Sequence, residues 1–254
     1  MTDTLRVQSV AIRFGGVQAL TDVNFAVASG EIVGLIGPNG AGKTTLLKII
    51  AGVARPDSGQ IVIDGEDVTA LPTARRVQKG LAITHQIVRP FRSMTVLDNV
   101  VLAAGHRFTS NPLTVLFHRA RKAEEERAAA ILARVGLAGQ ELKAVTALPL
   151  GHLKRLEVAR ALAVEPKLIM LDEPLAGLNH REAEEQVDTI ARLNAAGVTT
   201  ILIEHNLREV LRVCRRMLVL DGGRIIADGD PHSVIADKAV REAYVGKAAD
   251  HAAA

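Results

Sequence analysis

Residues Gly37-Pro38-Asn39-Gly40-Ala41-Gly42-Lys43-Thr44-Thr45 constrain this 254-residue chain more than any other segment. They satisfy the pattern G-x-x-x-x-G-K-[ST] between an apolar run, Glu31 to Ile36, and a helical run from Thr45 to Ala51. That is the strand-loop-helix setting the pattern requires. Glycines let the backbone curl so that successive N–H groups converge on phosphate oxygens, and the helix N-terminus adds partial positive charge. Lys43 is expected to reach the β and γ phosphates of a nucleotide, and the Thr44 hydroxyl to ligate Mg2+.

A second segment, Leu168-Ile169-Met170-Leu171-Asp172-Glu173, ends an apolar strand in two carboxylates. Open α/β sheets bind ligands at the carboxyl ends of their strands, beside such a phosphate loop. Asp172 is expected to hold Mg2+ through its water shell, and Glu173 to orient or deprotonate an attacking water.

The rest of the chain supplies a matching fold class. Apolar runs at Leu81-Ala82-Ile83-Thr84 and Val198 to Ile203 join those already named, and their near-continuous apolarity marks strands covered on both faces. Alternation with helical patterns predicts an α/β protein with a largely parallel sheet. Two pieces predict antiparallel pairing at sheet edges or in a small separate sheet. They are Ile61-Val62-Ile63 before the Asp64-Gly65 turn, and Met217 to Leu220 joined through Asp221-Gly222-Gly223 to Arg224-Ile225-Ile226. Between Arg92 and Val164 the strand signal disappears, so residues 92–163 are read as a helical subdomain inserted into a core made of 1–91 and 164–254. The charged run from Arg121 to Leu132 is expected to be a solvated helix face, and the Ala-rich end at 252–254 to fray.

Composition narrows the function classes. With 48% hydrophobic residues the chain is not disordered, and Cys214, the one cysteine, is expected to be a buried, inert thiol rather than half of a disulfide. Mean hydropathy is +0.18, high for a chain outside a membrane, but no apolar stretch approaches the 18 or so residues of a span. The N-terminus lacks a basic segment followed by an apolar run, so residence in the cytoplasm is expected. A formal charge of +3 and 2% aromatic residues argue against nucleic acid as a partner.

The order of motifs resembles the ATP-binding cassette (ABC) ATPases, over nearly the whole chain. Leu148-Pro149-Leu150-Gly151-His152 followed by Lys154 to Leu162 is similar to the signature of that family and its helix. Gln86 matches its glutamine loop, Ala176-Gly177-Leu178-Asn179 its D-loop, His205 its switch histidine, and Phe14 the aromatic that stacks on adenine. The resemblance implies a phosphate-loop core with an N-terminal antiparallel β subdomain and an inserted helical subdomain. It implies ATP and Mg2+ as ligands: Gly37, Pro38, Asn39, Gly40, Ala41, Gly42, Lys43, Thr44, Thr45 and Phe14 on the nucleotide, Thr44, Gln86 and Asp172 at the metal, and Glu173, His205 and Gln86 in hydrolysis. Gly151 would meet the nucleotide of a second cassette, because two cassettes, identical or different, pair head to tail.

Within the family the chain resembles the larger of the two ATPase subunits of branched-chain amino acid importers. The segment Phe91 to Val100, Asn179 in place of the usual Asp, the stretch Phe108 to Arg121 and the ending Ala239 to Gly246 carry that resemblance. It implies two membrane permeases as partners, a periplasmic binding protein acting indirectly, and a peripheral place on the inner face of the membrane. Importers of urea, amides or aromatic acids, and exporters, are the alternatives within the class; a cassette protein outside transport is remote. One departure stands out: the second signature position, usually a Ser whose hydroxyl reaches the γ-phosphate across the dimer, is Pro149. Proline offers neither a hydroxyl nor an N–H there.

Overall fold

A computed structural model describes residues 2–84, 86–105 and 118–251. Strands β1 (Asp3–Phe14) and β2 (Val17–Ala28) form a long antiparallel hairpin at the start of the chain. Leu5 and Val7 are buried at odd positions of β1, Val10 and Ile12 at even ones, so the inward face changes register between them. Ser9 makes that change in a left-handed conformation, φ 47°, and Asp22 does the same in β2 at φ 49°. Asn24 braces both irregularities: its Oδ1 accepts from the Ser9 N–H at 2.7 Å and its Nδ2 donates to the Asp22 carbonyl at 2.9 Å. An extra residue in each strand is the bulge geometry that adds twist while returning apolar side chains to one face.

Next come β3 (Ile32–Ile36), α1 (Lys43–Ile50), β4 (Ser58–Ile63), β5 (Glu66–Asp67), α2 (Thr73–Gln78) and β6 (Leu81–Ile83). Helices α3 (Val96–Ala104), α4 (His118–Arg134) and α5 (Leu150–Leu162) follow. The chain then runs through β7 (Leu168–Asp172), α6 (His180–Ala195), β8 (Thr199–Ile203), α7 (Leu207–Val213), β9 (Arg216–Asp221), β10 (Arg224–Gly229), α8 (Pro231–Ala236) and α9 (Lys238–His251).

Two sheets result. One is antiparallel, in the order β2-β1-β4-β5; the other is ordered β10-β9-β3-β8-β7-β6 and is parallel except for the β10-β9 pair. The predicted parallel strands are all present. The expectation of an edge hairpin holds for β10, whereas β9 lies inside the sheet, paired in parallel with β3. All of Met217 to Leu220 is buried, so β9 is covered on both faces like its neighbours.

Side chains on the parallel sheet sort by parity into two cores. Val33, Leu35, Leu168, Met170, Ile201 and Ile203 face the antiparallel sheet, with Leu46, Leu47, Ile49 and Ile50 of α1 filling the space between. Ile32, Ile36, Ile169, Leu171 and Leu202 face the other way, toward the helices. Helix α1 is therefore wedged between two sheets. Its C-terminus is closed by Arg76, 1% exposed, whose Nη1 donates to the carbonyls of Ile49 and Ile50 at 2.6 and 2.9 Å. The remaining guanidinium groups donate to Leu71 and Thr69, tying α1 to the chain beyond β5. A cation on orphaned helix carbonyls satisfies both the acceptors and the helix dipole.

Helices α3 to α5 occupy the stretch in which strand signal vanished. The charged run differs in part from expectation. Lys122, Glu126 and Arg127 are exposed, but Glu124 is buried and accepts from Arg127 Nη1 at 3.1 Å, on the side where Ala128 and Leu132 enter the core. Cys214 is buried as expected, and burial pushes its thiol pKa up to about 12. The stretch Phe108 to Arg121 falls mostly outside the described residues, as does the Ala-rich end. Among the described residues no helix is long and apolar enough to cross a membrane.

Candidate functional site

Strands β3 and β7 deliver the two motifs to the same end of the parallel sheet. After β3 the chain turns at Gly37, φ 154°, where a Cβ would lie 2.0 Å from the carbonyl oxygen of Leu220. No other residue allows that approach, and it starts the curl of the phosphate loop beside β9. The loop is held from above by the turn of the β9-β10 hairpin: Gly223 N–H donates to the Ala41 carbonyl at 3.0 Å, and its own carbonyl accepts from Thr21 N–H at 2.8 Å. Helix α1 then opens with Gly42 as its N-cap, so no capping side chain stands over its first turn.

A cleft of about 340 Å³ lies in front of this loop, lined by Asn39, Gly40, Ala41, Gly42, Lys43, Thr44 and Thr45. Val17, Gln18 and Ala19 of the N-terminal hairpin, Gly222 and Gly223, and Glu173 complete it. Lys43 Nζ donates to the carbonyls of Gly37 and Pro38 at 2.5 and 3.1 Å, which keeps the ammonium over the loop. Phe14 ends β1, is 53% exposed and pairs with Val17, but is not itself a wall of the cleft.

Glu173 is brought against two of the other predicted residues. Gln86 Nε2 donates to Glu173 Oε2 at 2.5 Å, and His205 Nδ1 lies 3.8 Å from Glu173 Oε1. Glu173 has φ 46°, a left-handed conformation that costs a side-chain-bearing residue roughly 1–2 kcal/mol. Hydrogen bonds hold it there: its N–H donates to Ile203 O at 2.9 Å, and its carbonyl accepts from Lys154 Nζ at 3.2 Å. Asp172 ends β7, with its N–H 3.3 Å from Thr84 Oγ1.

The signature residues stand apart from the cleft. Pro149 is the N-cap of α5 with φ −67° and ψ 162°, an extended conformation that proline adopts without strain. Gly151 is buried, and a Cβ there would lie 3.1 Å from Glu182 Oε1. Glu182 belongs to the capping box of α6, in which Asn179 Oδ1 accepts from the Glu182 N–H at 3.0 Å and Asn179 N–H donates to Glu182 Oε2 at 3.1 Å. Asparagine at the D-loop position thus caps α6. His152 has its Nδ1 buried with no hydrogen-bond partner among the described residues, and burial, then Arg155 and Lys143, lowers its pKa.

Three buried polar groups around the site escaped the sequence reading. Lys154 is 3% exposed and donates to the Gln86 carbonyl at 2.8 Å. Thr84 closes β6 beside Asp172. Glu204, 1% exposed, accepts from Leu175 N–H at 2.9 Å, which fixes the turn after Glu173. Burial raises the Glu204 pKa against the opposing pull of those hydrogen bonds and of His205. Position between Ile203 and His205 was the only available clue to Glu204; nothing in the sequence marked Lys154.

As for a metal, Thr44, Asp172 and Gln86 offer hard oxygen donors of the kind Mg2+ prefers. Among the described residues no three His, Cys, Asp or Glu side chains cluster as a metal cage.

Residues 20–176 match the model of the ABC transporter family. The chain belongs to that family. Residues 224–250 match a second model, described as branched-chain amino acid ATP-binding cassette transporter. The high-affinity branched-chain amino acid transport ATP-binding protein LivG of Escherichia coli is 37% identical over 96% of this chain and 98% of its own length. The lipopolysaccharide export system ATP-binding protein LptB of Haemophilus influenzae is also 37% identical, over 96% and 97%. A crystal structure of an ABC transporter cassette in its ADP conformation superposes with a TM-score of 0.84 at 31% identity, covering 97% of this chain and all of that one. As an ABC cassette the protein is an ATPase, and both the fold class and the family expected from its motifs are borne out.

A carboxyl with a raised folded-state pKa binds its proton more tightly in the native chain, so its contribution to stability is lost as pH rises above the unfolded value near 4.5. Glu204→Gln removes that loss. The melting temperature of the variant is expected to gain on the wild type as pH is raised from 5 to 8, as measured by calorimetry at several pH values.

Proposed function

We propose that this chain energises an importer of branched-chain or related amino acids, hydrolysing ATP at the cleft of the phosphate loop. The match of residues 224–250 to the branched-chain amino acid cassette model carries this reading. Overall identity does not choose, since the import and export relatives are equally similar. Export, as in the lipopolysaccharide export relative, is the second reading, and it rests on that equality.

In this reading residues 1–91 and 164–254 form the nucleotide-binding core and 92–163 the helical subdomain. The loop N–H groups and Lys43 bind the β and γ phosphates, and Phe14 stacks on adenine at the rim. Thr44, Gln86 and Asp172 would hold Mg2+, which would supply charge neutralisation at the phosphates. Glu173 accepts a proton from the attacking water, Gln86 holds the Glu173 carboxylate and follows the nucleotide state, and His205 supports both the γ-phosphate and Glu173.

Gly151 and the start of α5 lie outside the cleft of their own chain, which suits a helix N-terminus that meets the nucleotide of a partner cassette. Two permeases would place the subunit on the inner membrane face, fed from a binding protein. A groove of about 260 Å³ lined by Ala82, Arg89, Ala103, Glu157, Arg160 and Ala161 suits a permease segment. Arg160 stacks over Phe91 at 5.0 Å and donates to the Arg89 carbonyl at 2.9 Å, binding the chain after Gln86 to α5.

Radiolabelled leucine uptake in a strain deleted for the gene tests the proposal: the wild-type chain is expected to restore it and Lys43→Ala to fail. Normal leucine uptake in the deletion strain with defective lipopolysaccharide export would favour the second reading. Glu173→Gln is expected to lower turnover about 100-fold and to accumulate an ATP-bound dimer in size-exclusion chromatography. Pro149→Ser restores one hydrogen bond to a charged group, so ATP-dependent dimerisation is expected to tighten roughly tenfold or more in analytical ultracentrifugation.

A further inference from the structure

Lys154 lies one turn beyond Gly151 on α5 and is almost wholly withdrawn from water. An ammonium is tolerated in such a place only where acceptors and opposite charge surround it. Two main-chain carbonyls receive it, those of Gln86 at 2.8 Å and Glu173 at 3.2 Å. Glu157, Glu204, Glu173 and Asp172 surround it with negative charge, although burial outweighs them and lowers its pKa.

The same two residues are also joined through their side chains, Gln86 Nε2 to Glu173 Oε2. A closed ring results: one ammonium ties the main chains of the pair whose side chains meet at the cleft. Glu173 is the residue that needs such support. Its left-handed conformation is secured on the N–H side by Ile203 and on the carbonyl side by Lys154. An apolar side chain of similar length would fill the volume with no ammonium to desolvate, so packing alone gives no reason for a lysine here.

We propose that Lys154 is a positioning residue that holds Glu173 in its bent-back conformation and locks it to the chain at Gln86. The proposal rests on the reading of Glu173 as the group that takes the proton of the attacking water. Lys154 acts through Glu173 and touches no reacting atom. Because Lys154 and Gly151 ride on one helix, about 4.5 Å apart along its axis, a shift of α5 on meeting the partner's nucleotide is delivered to the Glu173 main chain.

The test is steady-state and single-turnover ATP hydrolysis by the full-length chain with Mg-ATP. It compares Lys154→Met, Lys154→Gln, Lys154→Arg, Glu173→Gln and the Lys154→Met/Glu173→Gln double variant. Lys154→Met and Lys154→Gln are expected to lose about tenfold to 100-fold in kcat with KM within about threefold, as a displaced reacting group does. Lys154→Arg, which keeps the cation, is expected to recover part of the loss. In the double variant the Lys154 change is expected to add nothing to Glu173→Gln, because both act through one carboxylate.

Full kcat in Lys154→Met, a loss confined to KM, or an added loss on top of Glu173→Gln would overturn the proposal. If Lys154→Met does not fold, Lys154→Gln decides by the same criteria. Failure of both to fold makes Lys154 a stability residue and overturns it as well. Normal turnover by Glu173→Gln alone marks instead the failure of the underlying reading of Glu173.

Discussion

The carbonyl oxygen of Leu220 occupies the space where a side chain on Gly37 would have to lie, and the site is built outward from that contact. It sets β9 against the start of the phosphate loop and lets the chain turn from β3 toward α1. The hairpin turn at Gly222 and Gly223 can then reach over the loop and bond to Ala41 and Thr21. The two sheets, joined elsewhere by the core around α1 and by the bond from Arg216 Nη1 to the Ala26 carbonyl, are thereby also linked at the site itself.

Buried charge is the second organising feature. Arg76 closes the C-terminus of α1 and satisfies that end of its dipole, while the N-terminus of the same helix, capped by Gly42, opens on the cleft. Lys154 and Glu204 flank Glu173 from α5 and from the end of β8, one bonded to its carbonyl and the other to the N–H of Leu175 two residues on. The strained backbone of Glu173, φ 46°, is offset by the bonds to its own N–H and carbonyl. Helix α5 is consequently more than the bearer of a signature: its first turn and its second face different tasks.

Much of the architecture was legible in the residues. The phosphate loop, the Asp172-Glu173 strand end and the parallel strands could be read because each is local, a pattern of spacing and apolarity that survives without knowledge of neighbours. Gln86 and His205 could be named only through resemblance, and the bond from Gln86 to Glu173 spans 87 positions in sequence, beyond any local pattern. The inner place of β9 was missed because a hairpin predicts the pairing of its own strands and is silent on what lies beyond them. The sequence places Glu124 in a run expected to be solvated and Lys154 only within the signature helix; their burial could not be foreseen, since burial of a charged residue depends on acceptors supplied from other elements.

By itself the sequence determined the chemistry available to this protein: a loop able to bind phosphate, carboxylates at a strand end, and a signature whose second residue is proline. Tertiary structure alone decided which groups meet. It set Gln86, Lys154 and Glu204 around a bent Glu173, left Gly151 outside the cleft of its own chain, and made Asn179 a helix cap. The physical reason is that spacing along a chain fixes local hydrogen bonds and side-chain direction, whereas desolvation and long-range contact arise only when distant segments pack.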